Sequence, residues 1–151
     1  MSGYGVALSD QVPGFEYVWG SNQMALAHGL YLMMVNEVYP NERYVHAAMA
    51  QVHYILGVNP VAKAYISGIG SDPVLHPHHN VSYRMQQAVP GFITEGANSM
   101  DSGGDAVLEG LWDMGVPVAM RYSDDWESWA SNEPTIDANA AFVALLAYWA
   151  E

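Results

Sequence analysis

Two short runs in this chain hold side chains that could do chemistry. The first is Tyr122-Ser123-Asp124-Asp125-Trp126-Glu127-Ser128-Trp129-Ala130-Ser131-Asn132-Glu133, where carboxylates alternate with aromatic rings. Carboxylates accept hydrogen bonds from sugar hydroxyls, and flat aromatic faces pack on the apolar faces of sugar rings. A carboxylic acid in partly apolar surroundings keeps its proton near neutral pH and can give it to a leaving oxygen. Glu133 stands in the right place for that task, just ahead of a nearly uncharged helical stretch. Composition alone favours an acidic surface loop whose Asp and Glu cap the next helix.

The second run is Leu75-His76-Pro77-His78-His79-Asn80. With Asp72 nearby, its three imidazoles supply enough nitrogen and oxygen donors for zinc. The spacing is not a specific metal spacing, however, and Pro77 stiffens the backbone between the ligands. A loop that contacts substrate is the better expectation, and no metal site is assigned.

Three helical stretches must position these runs. Over residues 22–38, Met24, Ala27, Leu30, Tyr31, Met34, Val35 and Val38 fall at helical steps, with Leu26, Leu32 and Met33 on the other faces. A helix apolar all round should be buried on most sides. Ser21 or Asn22 is its expected N-cap, and Pro40 ends it. Asn41 then caps a second helix to about residue 56, closed by Gly57. Its apolar stripe (Tyr44, Ala48, Val52, Ile55) is narrow, with Gln51 among the residues expected to face water. The pair reads as a helix hairpin. A last, almost wholly apolar helix covers residues 137–150, with Asn139 its one strongly polar interior residue. Between them, residues 58–104 are punctuated by Gly and Pro, and so long an irregular stretch tends to be functional. A short helix is expected near residues 105–114, and residues 1–18 read as irregular.

Bulk properties narrow the function. The 151 residues carry 4 basic and 16 acidic side chains, too few cations to neutralise a run of phosphates, so nucleic acid is not an expected partner. Only 13% of residues are charged, against about a quarter in an ordinary soluble domain, so either part of the apolar surface expects a partner or a helix-rich core simply uses Ala, Met and Tyr heavily. No uninterrupted apolar run is long enough to span a membrane, and no basic, apolar leader opens the chain. The absence of cysteine excludes thiolate chemistry and leaves the compartment open.

Taken in order, these pieces resemble the C-terminal portion of glycoside hydrolase family 9, the cellulase family. Tyr17-Val18-Trp19-Gly20-Ser21-Asn22, Tyr54-Ile55-Leu56-Gly57-Val58-Asn59-Pro60, Ser67-Gly68-Ile69-Gly70 followed by Pro77-His78-His79, and Val89-Pro90-Gly91 match successive family motifs. The most specific likeness is to the second family signature, met at Tyr122, Asp124, Trp129, Glu133, Thr135, Asn139 and Ala140. The resemblance implies an all-α fold, a partial (α/α)6 toroid of helix hairpins with long irregular active-site loops, over residues 1–151. It implies hydrolysis of β-1,4-glucosidic bonds in cellulose or related β-glucans by an inverting acid/base mechanism. Glu133 would then be the general acid, Asp124 a supporting carboxylate and His78 a substrate-binding histidine. Tyr122, Trp126 and Trp129 are candidate sugar platforms. A non-catalytic carbohydrate-binding fragment is the alternative.

Two departures matter. Asn80 stands in the substrate loop where the family carries arginine, which removes a forked, permanently charged donor. Ala64 and Asp72 also depart from the first signature. The family's Asp-Ala-Gly-Asp motif, source of the water-activating aspartates, is absent; Gly103-Gly104-Asp105-Ala106 has the wrong order and place. Inverting hydrolysis needs two carboxylates roughly 6.5–9.5 Å apart. The chain is therefore expected to be nearly inactive alone, and to pair with a missing N-terminal part of the domain or with itself. No cofactor is expected, since the carboxylates near Glu133 form no recognisable calcium loop. The resemblance suggests a secreted or periplasmic setting.

Overall fold

The computed structural model describes residues 4–13, 15–99 and 103–150. Residues 1–3 of the irregular leading stretch and residues 100–102 of the punctuated region lie outside them. Helix α1 (Ser21–Val38) and helix α2 (Glu42–Ile55) form the expected hairpin, and α6 (Ile136–Ala147) also packs on α1. Asn41 caps α2 as its sequence position suggests, its side chain accepting the Arg43 N–H at 3.0 Å. Gly29 faces both neighbours of α1. A Cβ there would lie 2.8 Å from Leu145 Cδ2 and 3.2 Å from Gln51 Cγ, so only glycine lets α1 approach both neighbours.

Between the hairpin and α6 the chain builds a small ribbon of four backbone segments. Strand β1 (Ala64–Ser67) pairs in parallel with β2 (Pro73–Val74). Ile66 bridges antiparallel to Ile93, and Thr94 in turn to Pro134. Short helices α3 (Asn80–Met85), α4 (Ala106–Asp113) and α5 (Trp129–Asn132) decorate the loops. Sequence periodicity did not signal the ribbon or helices α3 and α5. Segments of two to six residues are too short to show a period, and long-range partners hold them in place.

The core joins the helices to the ribbon. Leu26, Ile55, Leu145, Tyr65 and Ile93 are fully buried, each side chain contributing about 1.5–3 kcal/mol through removal from water. Two expectations about the hairpin are overturned. Gln51 is buried (1% exposed), not solvated: its Oε1 accepts the Ala7 N–H at 2.9 Å and its Nε2 donates to Gly5 O and Ala47 O. It thus anchors the leading segment, which has no regular structure to satisfy its own backbone.

Gly20 is the N-cap of α1, so neither Ser21 nor Asn22 caps it. Both turn inward instead. The Ser21 hydroxyl donates to Ala97 O at 2.6 Å and Asn22 Nδ2 to Thr94 O at 2.8 Å, tying the head of α1 to the ribbon. Gly96 permits this: with φ +90°, a Cβ there would fall 2.4 Å from Asn22 Oδ1.

Helix α1 is also less enclosed than its composition suggests. Tyr31, Met34, Val35 and Val38 are 43–68% exposed, as are Ile136 and Val143 of α6 at 87% and 65%. The last helix ends at Ala147, three residues short of the expectation. Among the described residues, no helix is long and apolar enough to cross a membrane.

Candidate active site

The ribbon brings the two chemical runs together. Strand β2 delivers the His loop, and the Thr94–Pro134 bridge fixes the segment that begins with Glu133. They meet at an open pocket of about 320 Å3 lined by His78, His79, Asn80, Tyr83, Trp126, Glu127 and Glu133. Glu133 is an exposed residue of this lining, and its backbone is extended at the end of α5.

Asn132, fully buried, locks the two runs together. Its Nδ2 donates to His76 O at 2.7 Å and Asp125 O at 3.1 Å, and its Oδ1 accepts the Tyr122 hydroxyl at 2.6 Å. Its carbonyl also accepts the His78 N–H at 2.9 Å. Asp124 supports the same loop from behind. Its two oxygens accept the N–H groups of Leu75 at 2.9 Å and His76 at 2.7 Å, and Lys63 Nζ lies 3.2 Å away. These charge-assisted bonds to backbone are of the stronger kind. Lys63 also reaches the more exposed Asp72 at 3.1 Å.

The imidazoles are oriented individually. His78 Nδ1 donates to the Trp126 carbonyl, which fixes its tautomer and leaves Nε2 as an acceptor when the ring is neutral. His79 is the N-cap of α3, its Nδ1 accepting the Ser82 N–H, so its Nε2 carries the proton. The neighbouring rings are held edge to face: Tyr83 and His76 pack against Trp126 at 5.7 and 5.2 Å, and His79 against Phe92 at 4.7 Å. The pocket therefore offers a hydrogen-bond donor, an acceptor, a carboxyl and aromatic surface. Among the described residues, no group of three or more His, Asp or Glu is placed to hold a metal ion.

The residues singled out by sequence separate into two sets. Glu133, His78, Asn80 and Trp126 line the pocket together. Trp129 stands beside His78, ring centroids 6.0 Å apart, and is not among the lining residues. Asp124 also lies off the pocket, its oxygens committed to the loop backbone. Tyr122 requires a correction as a sugar platform. It is 7% exposed, packs edge-on to Tyr65 at 4.8 Å and bonds to Asn132, and burial pushes its phenol well above the usual range. An aromatic in a loop looks the same in sequence whether it faces a groove or the core.

Sequence reasoning gave no individual role to Asn132 and Glu127, which lie in the first run, and passed over Tyr83 and Glu95. Asn132 carried a usable signal, an amide immediately before the proposed acid. Glu95 carried only weak signals, a lone carboxylate between Thr94 and Gly96. It is 7% exposed, and its pKa is raised to about 7, by burial first, then by the charges of Glu133 and Asp137.

A helix hairpin with a third long helix packed on it, presenting long loops that hold a carboxyl among imidazoles and an indole, is what a part of an α/α-toroid protein would present. Solved structures agree. A metagenome-derived glycoside hydrolase family 9 endoglucanase superposes with TM-score 0.83 at 36% identity, over 97% of this chain and 25% of that one. The family model for glycosyl hydrolase family 9 matches residues 3–146, and the chain belongs to that family. Its fold is accordingly a partial (α/α)6 toroid. Among relatives, endoglucanase A of Bacillus pumilus is 31% identical over 144 residues, covering 95% of this chain and 20% of that protein. A xyloglucan-specific endo-β-1,4-glucanase of Bacteroides ovatus is 31% identical over 133 residues, covering 86% and 22%. The chain thus spans about a fifth of the length of these relatives.

Proposed function

We propose that this chain is the acid-donating part of a β-1,4-glucan hydrolase of inverting type. Glu133 protonates the departing glycosidic oxygen as the bond to the anomeric carbon breaks. Trp126 and Tyr83 give aromatic surface to a sugar ring, and His78, His79 and Asn80 hold hydroxyls. Trp129 and Asp124 act one step back, by packing on His78 and by holding the loop. The single observation that supports this is that exposed Glu133 lines one pocket together with His78, His79 and Trp126. Family membership and the endoglucanase names of the relatives support the substrate class.

The water-activating carboxylate is, on this reading, supplied by a segment outside these 151 residues. Removing one member of an acid–base pair costs roughly 10²–10⁴-fold in rate, so the isolated chain should bind cello-oligosaccharides and scarcely turn them over. The exposed apolar faces of α1 and α6 fit the same reading, as surfaces to be covered by the remainder of the toroid or by a second copy.

The experiment is a tryptophan-fluorescence titration with cello-oligosaccharides, run beside a hydrolysis assay on wild type and Glu133→Gln. Saturable binding that Glu133→Gln largely retains, with any residual hydrolysis abolished by that change, is expected. Undiminished hydrolysis in Glu133→Gln removes the mechanism. Binding with no turnover under any complementation favours a purely carbohydrate-binding role.

A further inference from the structure

The mechanism above leaves one buried carboxyl group unused. The Thr94–Pro134 bridge is flanked by two backbone hydrogen bonds, Glu95 N–H to Glu133 O at 3.0 Å and Thr135 N–H to Ile93 O at 3.3 Å. Counting outward from Thr94 and Pro134 puts Glu95 directly across from Glu133. Residues directly opposite on an antiparallel pair share a face, with Cβ atoms about 5 Å apart, and like charges there repel.

The two carboxyls have unequal surroundings. Glu133 is open to the pocket, whereas Glu95 is 7% exposed. One oxygen of Glu95 lies 3.0 Å from where a Cβ on Gly20 would stand, so the bare glycine at the head of α1 makes room for it.

We propose that Glu95 is a positioning residue for the proton donor, sharing one proton with Glu133 so that the pair carries a single negative charge while the site waits for substrate. When a glycosidic oxygen arrives, the proton leaves from Glu133 as the C–O bond breaks. The pair then holds two negative charges until it regains a proton from solvent. Two close carboxyls cannot both ionise at ordinary carboxylate pH, because the second charge must form against the first.

The other groups around Glu95 set the balance. Asp137, in the first turn of α6, adds to the repulsion, and together with burial and the Glu133 charge it raises the Glu95 pKa to about 7. His78, His79 and Glu127 line the pocket on the Glu133 side. The inference rests on reading Glu133 as the proton donor, but its test needs no substrate.

The test is a carboxyl-carbon NMR titration of the chain labelled at glutamate, in wild type, Glu95→Gln and Glu133→Gln. One glutamate resonance should titrate near neutrality, vanish in Glu95→Gln, and fall by about one pH unit or more in Glu133→Gln, where the like charge is gone. A purely structural Glu95 would not respond to the Glu133 substitution. Exposure of Glu133 keeps that variant foldable even if Glu95→Gln is not. If no glutamate titrates above about pH 6, or if the neutral midpoint is unmoved by Glu133→Gln, the shared proton is refuted. Failure of Glu133 as acid is read separately, from hydrolysis.

Discussion

The side-chain amide of Asn132 donates to the His76 carbonyl at 2.7 Å while its oxygen takes the Tyr122 hydroxyl at 2.6 Å. One buried amide thereby sets the distance between the His loop and the segment bearing Glu133. Replacing it with leucine leaves the His76 carbonyl without its partner, while the Asp125 carbonyl keeps the Ser128 N–H and the Tyr122 phenol keeps the Thr94 hydroxyl; an unpaired buried group costs about 1–3 kcal/mol. Asn132→Leu should lower unfolding free energy by about 1–3 kcal/mol in urea. Its oligosaccharide affinity should drop even under conditions where the chain stays folded. Wild-type stability in this variant would mean the amide bonds do not form.

Asp124 and Asp72 share Lys63, but only Asp124 holds the loop backbone. Asp124→Asn keeps the shape and loses the charge, and should cost about 1–3 kcal/mol and weaken ligand binding. Asp72→Asn, an exposed partner, should change stability by less than about 1 kcal/mol. Equal effects from the two variants would contradict the assignment of Asp124 as the loop's support.

Glu95 gives stability a definite pH dependence. Its folded pKa of about 7 stands above the ordinary 4.5, so between those values the folded state holds more proton than the unfolded one. Its contribution is intact below about pH 4.5 and is lost as pH rises through about 7. Between pH 4.5 and 8, wild type should lose about 2–3 kcal/mol more than Glu95→Gln, with the upper figure an unscreened limit. Chemical denaturation across that range checks it, and parallel curves would exclude the shift.

Gly29 has no room for a side chain where α1 meets α2 and α6. Gly29→Val should destabilise by about 1–3 kcal/mol through overpacking against Leu145 and Gln51. A thermal melt of the variant is sufficient. An unchanged midpoint would imply that the helices sit farther apart.

The open faces of α1 and α6 lead to an expectation about assembly. Tyr31, Val38, Ile136 and Val143 are 63–87% exposed, and water contact of that extent favours association. The purified chain should elute above its monomer mass, in a concentration-dependent manner. Val38→Lys together with Val143→Lys should shift it toward monomer. Strictly monomeric behaviour with a cooperative melt would remove the need for a cover.

Sequence alone determined the elements with local causes. Helical spacing gave α1, α2 and α6 within a few residues, Asn41 declared its own cap, and the signature residues from Tyr122 to Ala140 fixed the family. Those features depend on neighbours along the chain, which a linear reading sees. Tertiary structure decided which way each side chain points. Gln51 and Tyr122 turn into the core, and Ser21 and Asn22 tie down the ribbon in place of capping. Asn139, a mere polar interruption in sequence, closes the ribbon by accepting the Ile93 N–H at 3.1 Å and donating to Gly91 O at 2.6 Å. Glu95 stands opposite Glu133 only because Thr94 pairs with Pro134, 40 positions further along the chain. Register between distant segments is set by packing and backbone hydrogen bonds that no local pattern encodes.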